Sequence, residues 1–178
     1  MNKKIQTAIV GGGCFWCTEA IFQEVKGVVK VKPGYAGGTV PGKPTYREVC
    51  SGLTGHAEVV EITFDSSIIT YREILRIFMT THDPTTLNRQ GADKGTQYRS
   101  IIFYQNKKEQ EIAKKVIEEL INIFESPIVT EVSELIIFFE AETEHQNYYK
   151  NNSEQAYCSF VITPKLKKMK ELHSNYLK

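Results

Sequence analysis

Apolar positions along the chain recur at two spacings, and the changes of spacing mark out the elements. Residues 5–10 form a short apolar run of strand length, and residues 18–25 predict a helix with Ile21, Phe22 and Val25 on one side. Residues 28–31 predict a second strand that ends at Pro33-Gly34, and the glycine- and proline-rich residues 34–44 read as loop. Residues 57–64 alternate as a third strand. Residues 71–80 predict a second helix, with Ile74 and Phe78, then Leu75 and Met79, four apart. Residues 98–104 predict a fourth strand. The order β-α-β-β-α-β is the ferredoxin-like pattern: an α+β fold, a two-layer α/β sandwich with two helices on one face of an antiparallel sheet. An additional C-terminal helix is predicted over residues 107–124, with Ile112, Val116, Leu120 and Phe124 in register. A loop-rich segment follows. Residues 128–132 and 135–139 look extended, residues 142–150 are polar and helix-compatible, residues 157–162 are apolar and strand-like, and a short basic helix closes the chain. There is no internal repeat, and residues 1–178 read as one domain.

The junction of the first strand and first helix reads Gly11-Gly12-Gly13-Cys14-Phe15-Trp16-Cys17. A cysteine that opens a helix lies beside free backbone N–H groups and the positive end of the helix dipole. That setting stabilises a thiolate and is expected to lower the Cys14 pKa. The glycines permit a sharp turn and a close approach to the sulfur. Cys17, three residues on, can meet Cys14 across one helical turn. Phe15 and Trp16 are large for the interior of a Cys-x-x-Cys pair and suit an apolar pocket wall, or ordinary core packing. Together these residues point to redox chemistry at sulfur.

Glu58 shares a face of the third strand with Val60, Ile62 and Phe64. A carboxyl in phase with apolar neighbours is partly desolvated, so its pKa rises and it becomes a candidate proton donor near neutral pH. The alternative is a charge at a strand end that reaches water. The loop from Gly91 into the fourth strand carries Asp93 and Tyr98, as a site loop or an ordinary turn. Tyr46 and Tyr98 are candidate hydroxyl donors or half-buried structural tyrosines.

Composition narrows the partners. The net charge of +1 leaves no electrostatic footprint for nucleic acid. The lysines of residues 165–170 read as a solvated helix face. The start, Met1 to Lys4, is charged as in a signal peptide, but the run after it is too short and too polar for one. No stretch approaches the roughly 20 apolar residues of a membrane span, so a soluble cytoplasmic protein is expected. Four cysteines do not make a disulfide scaffold at this length. Zinc would need a second close pair of ligands, whereas Cys50 and Cys158 are lone, so no metal and no cofactor are expected. Thr18 stands where a c-type haem motif needs histidine, and the glycines do not make a G-x-G-x-x-G loop. His56, His82 and His145 keep a cysteine hydrolase open. A general thiol-disulfide oxidoreductase and a partner- or metal-binding module also remain as alternatives.

Several stretches together resemble one family, the peptide methionine sulfoxide reductases of the A type. They are Gly13-Cys14-Phe15-Trp16, Gly34-Tyr35-Ala36-Gly37-Gly38, Pro44 through Gly52, Thr54-Gly55-His56-Ala57-Glu58, His82-Asp83-Pro84, Gly95 through Ser100, and Glu144-His145-Gln146. The resemblance implies a repair reductase for the S epimer of methionine sulfoxide, free or in proteins. It implies Cys14 as nucleophile, Glu58 as acid, and Phe15 and Trp16 as walls of the methyl pocket. Tyr46, Asp93 and Tyr98 would bind the sulfoxide oxygen or the acid. A sulfenic acid on Cys14 would be resolved as a disulfide and recycled by thioredoxin. Many relatives lack Cys17 and resolve with a cysteine in a glycine-rich tail. Here Cys158 heads the apolar run 158–162, so Cys17 is the preferred resolver and Cys158 the second candidate. Cys50 is read as structural, and a monomer is expected.

Overall fold

The computed structural model describes residues 4–178; Met1 to Lys3, the charged start weighed above, lie outside the described residues. In chain order the elements are β1 (Ile5–Gly11), α1 (Phe15–Gln23), β2 (Val28–Ala36), α2 (Tyr46–Cys50), β3 (Ala57–Asp65), α3 (Tyr71–Thr81), β4 (Arg89–Gln90), β5 (Asp93–Lys94), β6 (Ile101–Tyr104), α4 (Lys107–Leu120), β7 (Glu131–Glu134), β8 (Phe138–Glu140), α5 (Tyr148–Asn152) and α6 (Thr163–Leu172). Six strands form one mixed sheet in the order β7-β6-β1-β3-β2-β8; β7 runs parallel to β6 and every other neighbour is antiparallel. The strands β4 and β5 form a separate small hairpin.

Strand periodicity sorts side chains onto the two faces. Val10 of β1 and Val60, Ile62 and Phe64 of β3 pack with Ile21 and Phe22 of α1 and with Ile74, Leu75 and Phe78 of α3 in the main core. The intervening Ile9, Val59, Ile101 and Phe103 form a smaller cluster on the opposite face, capped by Leu135 and Phe138. Both faces of the central strands are therefore dry, and a polar group on them must find a partner within the protein. Helix α3 opens with a capping box: Thr70 Oγ1 accepts from Glu73 N–H, and Glu73 Oε2 accepts from Thr70 N–H. Thr45 and Glu48 do the same for α2.

Several boundaries differ from the sequence expectation: β2 runs on through Pro33 to Ala36, into the segment expected to be loop, and α4 gives way to a 3-10 turn after Leu120. Helix α1 starts at Phe15 rather than at residue 18, because the chain turns within the glycines, with Gly13 at φ 98°, and Cys14 is already the N-cap. The fourth core strand begins at Ile101, because residues 96–98 form a 3-10 turn. The run expected to be strand-like, Cys158–Ile162, is a π-helical turn that continues into α6. Its buried residues Cys158 and Ile162 are four apart and continue to Leu166 and Met169, while Phe160 stands in solvent. That is helical spacing, spread over a longer window than the apolar run alone displays.

Phe22 is fully buried between α1 and the sheet. Truncation to alanine is expected to lower stability by about 3–5 kcal/mol in urea denaturation.

Candidate active site

Strand β1, the glycine turn and α1 deliver Cys14 to the edge of the main core. A Cβ on Gly12 would lie 2.8 Å from the His82 ring, and one on Gly13 would lie 2.6 Å from Gln90. The close approach that these glycines permit is thus made by the protein's own side chains. Cys14 is 6% exposed, Cys17 is 2% exposed and Cys158 is fully buried, so the three thiols differ little in access.

The first free N–H of α1 is spent on a carboxyl. Phe15 N–H donates to Glu58 Oε2 at 3.0 Å, reaching from the helix start to β3. Glu58 is 1% exposed and its Oε1 is buried without a hydrogen-bond partner. Burial pushes its pKa up to about 8 against the single hydrogen bond, with the nearby Asp93 and Cys17 adding to the rise. The carboxyl is therefore mostly protonated at neutral pH, as its place among Val60, Ile62 and Phe64 predicted.

The two thiols form a hydrogen-bonded pair. Burial, the bond to Cys17 and the charge of Glu58 push Cys14 well above the ordinary thiol range, although Trp16 N–H reaches its sulfur. This reverses the expectation of a lowered Cys14 pKa: desolvation outweighs the helix terminus here. Cys17 moves the other way, down to about 7, chiefly because Cys14 hydrogen-bonds to it, with help from Lys165 and Tyr157 against its burial. The charge of an ionised Glu58 works against ionising Cys14.

Aromatic rings surround the thiols. Phe15 and Trp16 have ring centroids 6.5 Å apart, and their centroids lie 6.1 and 6.3 Å from that of Tyr46. Trp16 Nε1–H donates to His145 Nδ1 at 3.2 Å, and the His145 ring lies 4.2 Å from that of Tyr46. Tyr148 stacks on Trp16 at 3.7 Å and 6°. Tyr46 and Tyr98 both lie within electrostatic reach of Glu58, and burial followed by that charge pushes each phenol up. Asp93 Oδ2 accepts from Tyr157 OH at 2.9 Å, and the same hydroxyl lies 3.8 Å from Cys17 Sγ.

All the predicted site residues except Cys158 thus touch or act electrostatically on the Cys14–Glu58 centre; Cys158 lies one residue beyond Tyr157, and its thiol is raised by burial and by the charge of Cys17. Cys50, expected to be structural, lies exposed at the end of α2 with Tyr46 as its hydrogen-bond partner. Among the described residues no histidine hydrogen-bonds to Cys14. His56 accepts from Gly38 N–H, His82 bonds Phe78 O and Ser100 Oγ, and His145 accepts from Trp16. That arrangement removes the base a cysteine hydrolase needs.

Sequence reasoning missed four contributors. Glu142 accepts from Tyr35 OH and Tyr46 N–H, both at 2.9 Å, and so fixes α2. Glu19 accepts from Asn147 N–H at 2.7 Å and Tyr148 N–H at 3.3 Å, pinning the segment that covers Trp16. Tyr148 and Tyr157 are the other two. Glu142, Tyr148 and Tyr157 lie far along the chain from the Cys-x-x-Cys pair, and Glu19, two residues after Cys17, finds its partners only in that distant segment; the only local signal was a polar stretch around Glu142 without clear periodicity.

Three comparisons bear on this arrangement. A family model for peptide methionine sulfoxide reductase matches residues 6–177. The chain belongs to the peptide methionine sulfoxide reductase family. Peptide methionine sulfoxide reductase MsrA of Saccharolobus solfataricus is 55% identical over 174 residues, 98% of each chain. The reduced form of Mxr1 from Saccharomyces cerevisiae superposes with a TM-score of 0.80 at 34% identity, covering 87% of this chain and 90% of that one. Mxr1 in complex with Trx2 matches with a TM-score of 0.57 at 25% identity over 82% of this chain and 85% of that one. The reductase is accordingly an oxidoreductase of the MsrA type with a mixed α/β fold. No helix among the described residues is long and apolar enough to cross a membrane.

The raised Glu58 pKa couples stability to pH. The folded state binds this proton up to about pH 8, whereas a free carboxyl loses it near 4.5. The contribution is complete below the free value, falls as pH rises between the two, and is lost above about 8. Urea denaturation from pH 5 to 8 should show stability falling by up to about 1.4 kcal/mol per pH unit from this group. Glu58→Gln should flatten the slope, leaving the part due to Glu19, which burial raises to about 7.

Proposed function

We propose that this reductase acts on the S epimer of methionine sulfoxide, free or within proteins, with Cys14 as nucleophile and Glu58 as general acid. The observation that carries this reading is the buried, unpartnered Oε1 of Glu58 beside Cys14, on a carboxyl that keeps its proton at neutral pH. A sulfoxide oxygen leaves sulfur only when protonated, so attack by Cys14 needs a neutral acid within reach. The protonated carboxyl also relieves Cys14 of a repulsive charge. Cys14 Sγ takes the oxygen, the methionine sulfur is reduced, and Cys14 becomes a sulfenic acid. Three points define the hand of the substrate: its methyl group against Phe15 and Trp16, its oxygen toward Glu58 with Tyr46 and Tyr98, and its sulfur at Cys14. Asp93, tied to Tyr157, shapes the same pocket. Interchanging methyl and oxygen would place a polar atom on the aromatic wall, which selects one epimer.

Cys17 resolves the sulfenic acid as an intramolecular disulfide, supported by its hydrogen bond to Cys14 and its low pKa; Cys158 is the second candidate. Thioredoxin recycles the disulfide by exchange, a reading supported by the relative solved with Trx2. The chemistry suits the reducing cytoplasm. The reductase acts as a monomer, one domain over residues 1–178. The central strand order β6-β1-β3-β2, with α1 and α3 on the main-core face, supports a ferredoxin-like description of that domain.

Assays with the two dabsylated epimers and dithiothreitol test the function: only the S epimer should be reduced, and Cys14→Ser should be inactive. Failure to reduce that epimer refutes the proposal. Glu58→Gln should slow the step by about 10²–10⁴-fold. The parent rate should fall as pH passes about 8, where Glu58 loses its proton; a rate that holds there and survives Glu58→Gln would remove the acid from Glu58. Disulfide mapping after one equivalent of substrate, in Cys17→Ser and Cys158→Ser, identifies the resolver.

A further inference from the structure

Beside Cys17 lies a small cavity of about 10 Å³, room for one water, whose lining does not include Glu58. Gly12, Cys17, Thr81, His82 and Lys165 line it. Lys165 also borders an open surface groove of about 580 Å³ that carries Lys168, Asp83 and Phe124. Lys165 therefore borders both the open surface and the small cavity at Cys17, a residue only 2% exposed. The reading of residues 165–170 as a solvated face needs correction at this position. Lys165 falls three residues after the buried Ile162 and four before the buried Met169, on the stripe that α6 turns inward. It makes no ion pair with a carboxylate among the described residues, so its charge is not neutralised locally.

The groups that face or act on Cys17 come from every neighbouring element. They are Cys14 at the start of α1, Glu58 of β3, Asp93 of β5, His82 after α3, Tyr157 and Cys158 before α6, and Lys165 of α6. Glu58 and Asp93 can only add negative charge. His82 is held neutral, because burial pushes it down to about 4 and both of its ring nitrogens are hydrogen-bonded. Lys165 is the cation of the set.

We propose that Lys165 is a positioning residue for the resolving step: its ammonium holds Cys17 as a thiolate beside Cys14. The inference rests on the reading of Cys17 as the resolving thiol. The electron pair of the Cys17 thiolate forms the S–S bond to Cys14 as the S–O bond of the sulfenic acid breaks. Hydroxide leaves and combines with the proton that Cys17 gave up, so one water is released and no outside oxidant is consumed. Lys165 exchanges no proton in this step; it acts through its charge.

Single-turnover experiments with the full-length protein separate the steps. Methionine release reports the first step, and loss of dimedone-reactive sulfenic acid together with loss of free thiols reports the second. Lys165→Met should move the pH midpoint of disulfide formation upward. A rise of one pKa unit would slow that step about fivefold at pH 7, with the difference closing above pH ~9.5. Lys165→Arg should restore the parent profile, which a purely structural role would not predict. Lys165→Gln supplies a second neutral variant should the methionine substitution fail to fold. An unmoved midpoint in the folded neutral variants overturns the proposal, as does a disulfide that joins Cys14 to Cys158 in the parent. Absence of methionine release from the parent would instead strike the proposed function itself.

Discussion

The hydrogen bond from Phe15 N–H to Glu58 Oε2 is the constraint around which the rest of the site is arranged. It joins the first residue of α1 to a central strand whose two faces are both buried. A carboxylate in that position would have one donor and little water, so the carboxyl keeps its proton. The same contact sets how far β1 and its glycine turn can lie from β3. At Gly11 a Cβ would meet Glu58 O at 2.6 Å, which only a glycine avoids. Acid, nucleophile and helix start are thus one mechanical unit rather than three neighbours.

A second unit is built from the C-terminal third of the chain. Glu142 holds Tyr46, His145 accepts from Trp16, Tyr148 covers the indole, and Tyr157 bridges Asp93 and Cys17. Buried Glu19 ties this covering segment to α1 through two backbone N–H groups. The cover explains why a cysteine at a helix start has a raised pKa. Residues that exclude water from the pocket also remove the solvation a thiolate needs. The low pKa moves to Cys17, three residues deeper in the same helix, where Cys14 and Tyr157 hydrogen-bond to the sulfur.

Two like acids, Glu58 and Glu19, are both raised by burial yet differ in use. Glu58 accepts one hydrogen bond and leaves an oxygen free in the pocket. Glu19 accepts from two backbone N–H groups and from Gln23, so both of its oxygens are engaged in holding structure. Hydrogen-bond saturation, more than pKa, separates a group that can deliver a proton from one that anchors a segment.

Local periodicity was enough to place β1, β3, α3 and the body of α4, because each carries its apolar residues at a spacing that only one conformation buries. The Cys14-Phe15-Trp16-Cys17 run and the in-phase Glu58 were legible for the same reason: their neighbours in sequence are also their neighbours in space. The turn at Cys158–Ile162 was misread because five apolar residues fit a strand as well as a helix until Leu166 and Met169 are counted with them. What required the tertiary structure was the sign of the Cys14 shift, the exposed place of Cys50 and the inward path of Lys165. Each depends on how much water the packed chain leaves around one atom, and that is decided by how separate segments pack together, which no local spacing encodes.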